Sequence, residues 1–141
     1  MTTSPVPRSV GVERTSPGQF TATNERGGRI DFGTGDGGDF TPTELFLAAV
    51  GGCTAIDVDI LTSRRAAAQA FAVTVDATKV RDDDGNRLTD VVITFRVVFP
   101  DGPEGDAARE VLPEAVQRSH DRLCTVGRTV ELATPIATRI E

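Results

Sequence analysis

A chain of 141 residues is long enough for one domain that buries about two-thirds of the surface its unfolded form would expose. Its formal net charge is -6, and no Lys/Arg cluster exceeds Arg64-Arg65, so it lacks the basic footprint that a phosphate backbone requires; nucleic acid is excluded as a partner. Only 5% of residues are aromatic, all of them Phe, so Val, Ile, Leu and Ala must fill the core, and association with a second copy would enlarge it.

Residues 1–8 have the composition of a frayed terminus. From Ser9 to Phe32 the segments SVGVERT, QFTATN and GRIDF alternate with the turn signals Pro17-Gly18 and Arg26-Gly27-Gly28, which predicts a β-meander. GTGDGGDF, residues 33–40, carries four glycines without periodicity and reads as a mobile loop; no Lys-Ser/Thr follows, so it is not a phosphate-binding loop. Thr41 and Glu44, with Pro42 between them, form a capping box with proline at the first helical position. The helix they open is predicted from about Pro42 to Arg64 or Ala68. Its run from Leu45 to Ile56 is uncharged and apolar on every side, which places it at the middle of the protein. Twelve residues are too few to cross a bilayer, and residues 1–20 hold no apolar run of the kind a secretory signal needs. The expected location is the cytoplasm, with no membrane partner.

Beyond this helix the period changes to two. FAVTVDATKV (71–80) and RLTDVVITFRVVF (87–99) flank Asp82–Asn86, a hairpin signal, and Val91, Ile93, Phe95, Val97 and Phe99 share a face that should pack on the helix. From Asp106 to about His120 apolar residues recur at helical spacing, with Pro113 predicting a kink or a break, and TPIATRI predicts a closing strand. Strands, single helices and a hairpin in this order predict one α+β domain over residues 1–141, with antiparallel sheets.

Two cysteines and one histidine cannot supply a structural metal site of four soft ligands, and no metal or bound cofactor is expected. His120 stands four residues before Cys124 and would share a helical face with it, although a satisfied or solvated histidine is the ordinary reading. In the cytoplasm, two cysteines 71 positions apart are more often free, catalytic or redox-sensing than bridged. Cys53 lies about three turns into its helix, too far from the start for the macrodipole to act, in apolar surroundings that raise a thiol's pKa. Gly51-Gly52 before it admits two readings. One is a kink that starts a second half-helix at Cys53; the other is close packing of two helices around a Cys53 that serves as a small core residue. Asp57 and Asp59 would oppose a nearby thiolate, so capping or pairing with an arginine suits them better. Arg122 and Arg128 flank Cys124 and either lower its pKa or are surface charges.

PTELFLAAVGGCTAID around Cys53, followed 71 positions on by Cys124 in SHDRLCTV, resembles the OsmC/Ohr family of thiol-dependent hydroperoxide reductases, most of all its OsmC-like branch. The resemblance runs from about residue 12 to 138. It implies an intertwined homodimer, with long buried helices between two antiparallel sheets and each active site at the subunit interface. It further implies that Cys53 attacks the O–O bond of an organic hydroperoxide and becomes a sulfenic acid, that Cys124 resolves this acid as a disulfide, and that an external thiol or dithiol reduces the disulfide. A sulfenic acid over-oxidises unless a second thiol captures it, and an apolar helix offers the pocket an alkyl peroxide prefers. In peroxidases of the family a first-turn glutamate holds an arginine from the N-terminal strands over the reactive sulfur. That glutamate precedes the cysteine by ten positions, where this chain has Thr43; Glu44 is the next residue and the candidate in its place. Arg26 and Arg29 both lie in the region of the arginine, and Arg26 is preferred because the glycines after it suit a turn that could present it. The expected function is therefore a peroxidase of oxidative-stress defence, with Cys53, Cys124, Arg26 and Glu44 as its catalytic residues. The alternative, favoured by Thr43, is a non-catalytic dimer that binds a small apolar or thiol-reactive ligand or senses redox state.

Overall fold

The structure, a computed structural model, describes residues 3–141. Of the expected frayed terminus, residues 1 and 2 lie outside the described residues, and residues 3–8 are exposed and without regular structure. The chain divides into two compact units, Met1–Phe46 and Leu47–Glu141.

In the first unit the predicted meander forms: β1 (Val10–Ser16), β2 (Gln19–Asn24) and β3 (Arg29–Gly33) make an antiparallel sheet in that order. Asn24 organises the turn before β3, its Oδ1 accepting the N–H groups of Arg26 at 3.0 Å and Gly28 at 2.9 Å. Phe20 and Phe32, paired across β2 and β3, stack with ring centroids 6.0 Å apart. The glycine-rich segment follows as a series of bends, closed where the Gly33 N–H donates to the Phe40 carbonyl at 2.9 Å.

α1 (Pro42–Ser63) opens on the predicted capping box: the Thr41 N–H donates to Glu44 Oε1 at 2.9 Å, and the Glu44 N–H donates to Thr41 Oγ1 at 3.2 Å. At 22 residues, with an 18-residue stretch of mean hydropathy 1.7, α1 is longer than its uncharged run and could cross a bilayer by length and composition alone, a test that the core helix of a folded protein also passes. Its buried residues form one stripe, Val50, Gly51, Thr54, Val58 and Thr62. The apolar residues on the other side are open in the single chain, Ile56 at 63% and Ile60 at 56% exposure.

The second unit continues with the predicted hairpin, β4 (Ala70–Asp82) and β5 (Gly85–Val98). Its turn is tied by Asp82, whose Oδ1 accepts the N–H groups of Asp84 and Gly85 and whose Oδ2 accepts Arg87 Nε at 2.7 Å. Ile93, Phe95, Val97 and Phe99 lie on the covered face, as expected, but Val91 is exposed. The ladder shifts register between Asp76 and Thr78, opposite Asp90 at φ 55°, and this bulge interrupts the alternation just before Val91.

α2 (Pro103–Arg118) continues through Pro113, so of the expected kink or break the break is absent. Proline removes one backbone hydrogen bond, and the buried Ala108 and Ala115 on either side of it hold that part of the helix in place. Ala108 also joins Ala66 and Phe99 in a small core cluster, against which Ala68, Val97 and Leu112 pack. Where α2 begins, a Cβ on Gly105 would lie 1.7 Å from the Pro100 carbonyl oxygen, so only glycine fits there. A π-helical turn (Ser119–Leu123) and α3 (Thr125–Glu131) follow. The predicted closing strand is absent: residues 134–141 have no regular structure, and Ile136 and Ile140 are almost wholly exposed. Among the described residues no strand edge pairs with this segment, and strand propensity without a partner does not make a strand.

Candidate active site

α1 passes through Gly51-Gly52 without interruption, so no second half-helix starts at Cys53. Close packing is the reading that holds, although the neighbour is a strand and not a helix. A Cβ on Gly51 would meet Val75 Cγ2 at 2.6 Å and Val73 Cγ1 at 3.5 Å, whereas Gly52 faces open space. Cys53 is half-buried on the flank of the buried stripe. Its neighbours at helical spacing are Ala49 and Ile56, both exposed, and Asp57.

Cys124 arrives from the other end of the unit. After α2 the backbone widens into the π turn, closed where the Cys124 N–H donates to the Ser119 carbonyl at 2.8 Å, a five-residue span. Cys124 then becomes the N-cap of α3, and its sulfur accepts the Gly127 N–H at 3.3 Å. This turn brings Cys124 close enough to Cys53 for the two thiols, both free, to act on one another. Burial, at 4% exposure, is the main cause that pushes the Cys124 thiol above its ordinary pKa. The Gly127 N–H acts the other way, while the neighbouring Cys53 and then the charge of Asp57 raise it further. Arg128 is engaged elsewhere, donating to the Asp121 carbonyl at 2.9 Å, and Arg122 is exposed; surface charge is the role that fits both.

A short chain of hydroxyls lies next to the sulfurs. Ser119 Oγ donates to Asp57 Oδ2 at 2.8 Å, so at the 2.8 Å contact between Thr54 Oγ1 and Ser119 Oγ the threonine is the donor. Asp57 thus takes a serine hydroxyl and not the expected arginine or cap, and Asp59 accepts from Ser63 Oγ at 3.2 Å. Neither Thr54 nor Ser119 carried a sequence signal, since the pair spans 65 positions and isolated hydroxyls are common. His120 is not drawn toward sulfur, because the π turn replaces the regular helix that would have aligned it with Cys124. Its Nδ1 pairs with Asp121 at 2.9 Å and its Nε2 with Glu131 at 3.0 Å, and these two hydrogen bonds, Asp121's first, hold its pKa above the usual value.

The remaining candidates stand in the first unit. Arg26 lies in the turn between β2 and β3 and Arg29 at the start of β3, both exposed, while Glu44 is engaged in the capping box. That cap holds the Glu44 carboxyl below its ordinary pKa, through the Thr41 backbone N–H first and the Thr41 side chain second.

An open apolar cavity of about 300 Å³ is lined by Leu47, Ala48, Gly52 and Ala55 of α1 and Phe71 and Val75 of β4. At about 100° per residue, these α1 positions face away from Cys53. The apolar pocket expected at the sulfur is therefore not this cavity; the apolar surface nearest Cys53 is the uncovered side of α1 with Ala49, Ile56 and Ile60.

The sequence-family model for OsmC-like proteins matches residues 35–139. An uncharacterized protein of Mycobacterium tuberculosis is 29% identical over 126 residues, covering 89% of this chain and 90% of its own. Among solved structures, an OsmC-like protein of unknown function from Vibrio cholerae superposes with a TM-score of 0.72 at 16% identity, over 89% of this chain and 94% of its own. An organic hydroperoxide resistance protein from Legionella pneumophila superposes with a TM-score of 0.59 at 12% identity, over 91% of each chain.

Proposed function

This chain belongs to the OsmC-like protein family, and we propose that it is a cysteine peroxidase that reduces organic hydroperoxides. The observation that carries this reading is the thiol pair: a half-buried free Cys53 beside a buried free Cys124 at the cap of α3. The family's hydroperoxide resistance proteins share the fold, which agrees with that chemistry.

In the proposed cycle the Cys53 thiolate attacks the distal oxygen of the hydroperoxide. The O–O bond breaks, an S–O bond forms, and the alkoxide leaves with a proton as the alcohol. Cys53 is then a sulfenic acid. The neighbouring Cys124 attacks its sulfur, the S–S bond forms, and the hydroxyl departs with the Cys124 proton as water, before the sulfur can oxidise further. An external thiol or dithiol, in the cytoplasm, returns both cysteines to thiols by exchange. Arg26 is the proposed cation of the cycle; among the described residues its side chain makes no salt bridge. A second copy of the chain would cover Ile56 and Ile60, close the apolar side of the sulfur site and make the functional unit a homodimer.

One observation favours a second reading, a non-catalytic dimer that binds a small apolar or thiol-reactive ligand or senses redox state. Thr43 stands where peroxidases of the family have a glutamate, and Glu44 is already occupied by Thr41. Thiol titration before and after one equivalent of cumene hydroperoxide separates the two. Loss of both thiols within seconds, faster than with hydrogen peroxide and absent in Cys53→Ser, is the expected result. Survival of both thiols for minutes would decide for the binding protein.

A further inference from the structure

Ser119 is buried completely, at 0% exposure, and is engaged at every position it offers. Its hydroxyl reaches two residues of α1, accepting from Thr54 and donating to Asp57, each at 2.8 Å. Its carbonyl accepts the Cys124 N–H at 2.8 Å, across the π turn. One side chain thus ties the turn that ends at Cys124 to the helix that carries Cys53. Asp57 is the carboxylate at the end of this chain, one helical turn beyond Cys53, and a negative charge there disfavours a second one on a neighbouring sulfur. Consistently, Asp57 is among the causes that raise the Cys124 pKa, after burial and the Cys53 interactions.

Cys53 and Asp57, both from α1, are the titratable groups that act on Cys124. On the side of the π turn and α3, His120 is paired with Asp121 and Glu131, and Arg128 with the Asp121 carbonyl, while Arg118 and Arg122 are exposed.

We propose that Asp57 and Ser119 are the positioning residues of the thiol pair: Ser119 docks the π turn so that Cys124 meets Cys53, and the Asp57 carboxylate, at the end of the same hydrogen-bond chain, disfavours a negative charge on Cys124, the thiol that closes the disulfide. The order of roles rests on the peroxidase reading; the docking and the charge effect do not, because any two-electron thiol oxidant exposes them. With diamide the Cys53 thiolate adds to the N=N bond, and Cys124 then displaces the reduced hydrazine as the S–S bond forms. Two thiols are oxidised, one diamide is reduced, and both protons end on the hydrazine.

Two measurements test this. The chain has no Tyr or Trp, so thiolate ultraviolet absorbance can be titrated without phenolate interference. In a Cys53→Ser background Cys124 is the remaining thiol, and adding Asp57→Asn, whose amide oxygen can still accept from Ser119, should raise its thiolate fraction below the midpoint. In the wild-type background, Ser119→Ala should slow closure of the Cys53–Cys124 disulfide by diamide about tenfold. Ser119→Thr, which keeps the hydroxyl, should restore much of the rate. An unchanged Cys124 titration in the Asp57→Asn protein, or unchanged closure in Ser119→Ala, would overturn the proposal. If Ser119→Ala does not fold, the Asp57→Asn titration still decides. Failure of cumene hydroperoxide to consume thiols while diamide closure behaves as stated would sink the peroxidase reading and leave this one standing.

Discussion

Two adjacent glycines in one helix offer a controlled test of how α1 is seated. Replacing either Gly51 or Gly52 with alanine raises helix propensity by the same amount, about 0.8–1 kcal/mol, so that contribution cancels when the two variants are compared. The difference lies in the surroundings. At Gly52 a new methyl meets nothing within 4 Å, and Gly52→Ala should stabilise the protein by most of that increment. At Gly51 the methyl would sit 2.6 Å from Val75 Cγ2, closer than carbon atoms pack. Valine is stiff about χ1, so Val75 cannot simply swing away, and helix and strand must separate; overpacking of this kind costs about 1–3 kcal/mol. Gly51→Ala should therefore be less stable than Gly52→Ala by about 1–3 kcal/mol, a melting difference of roughly 3–10 °C for a chain of this length. Thermal unfolding followed by circular dichroism at one protein concentration measures it. Adding Val75→Ala should relieve Gly51→Ala and not Gly52→Ala, a coupling that a double-mutant cycle isolates. Equal melting temperatures, or a more stable Gly51→Ala, would refute the packing of α1 on β4.

Three further outcomes are expected. Burial lifts the Cys124 pKa above its ordinary value of 9.0, so as pH rises the unfolded chain ionises first; the stabilisation is whole below about pH 9 and is lost as pH passes through the folded pKa. Denaturant midpoints of the reduced protein should fall in that alkaline range, and more steeply than those of Cys124→Ser. His120 is the single histidine, so its imidazole resonance is self-assigning and should titrate above 6.5, with Glu131→Gln moving the midpoint down. Because its folded pKa is raised, its small contribution is present below pH 6.5 and fades as pH climbs through the folded value, weakened further by its exposure. Thr41→Ala removes the acceptor of the Glu44 N–H and should cost about 0.5–2 kcal/mol in equilibrium unfolding. If Glu44 only caps α1, Glu44→Ala should change peroxide turnover no more than Thr41→Ala does; a much larger loss would give the carboxylate a role beyond the cap.

The elements that could be read from sequence were those whose cause is local. The capping box at Thr41 and Glu44, the turns that punctuate β1 to β3 and the two-residue alternation of β4 and β5 each depend on a handful of adjacent residues, and each formed where expected. The errors fell where the deciding interaction was distant. At Pro113, where the sequence allowed a kink or a break, the break did not form, and Ala108 and Ala115 are buried on either side of it. TPIATRI has strand composition, but composition does not supply the edge a strand must pair with. Val91 continues an alternation that a bulge at Asp90 interrupts, and no residue type announces that bulge.

The site divides in the same way. The apolar run around Cys53 marked that cysteine, and the family resemblance paired it with Cys124, but what brings the sulfurs together is a π turn that begins at an unremarked serine. A turn closed over five residues in place of four rotates everything after it, so helical spacing counted from His120 pointed the wrong way. The same limit explains α1. A run that is apolar on every side states that every side is to be covered, without stating by what. Within one chain the hydroxyl-bearing side, with Thr54 and Asp57, is covered by the turn that delivers Cys124, while the side with Ile56 and Ile60 stays open. Cys53 stands on the boundary between the two. Its inner wall is thus made by the chain itself and sets the surroundings of Cys124. Its outer wall is left to whatever covers the open face, and under the homodimer proposed above that wall, and with it the choice of hydroperoxide, belongs to the second copy.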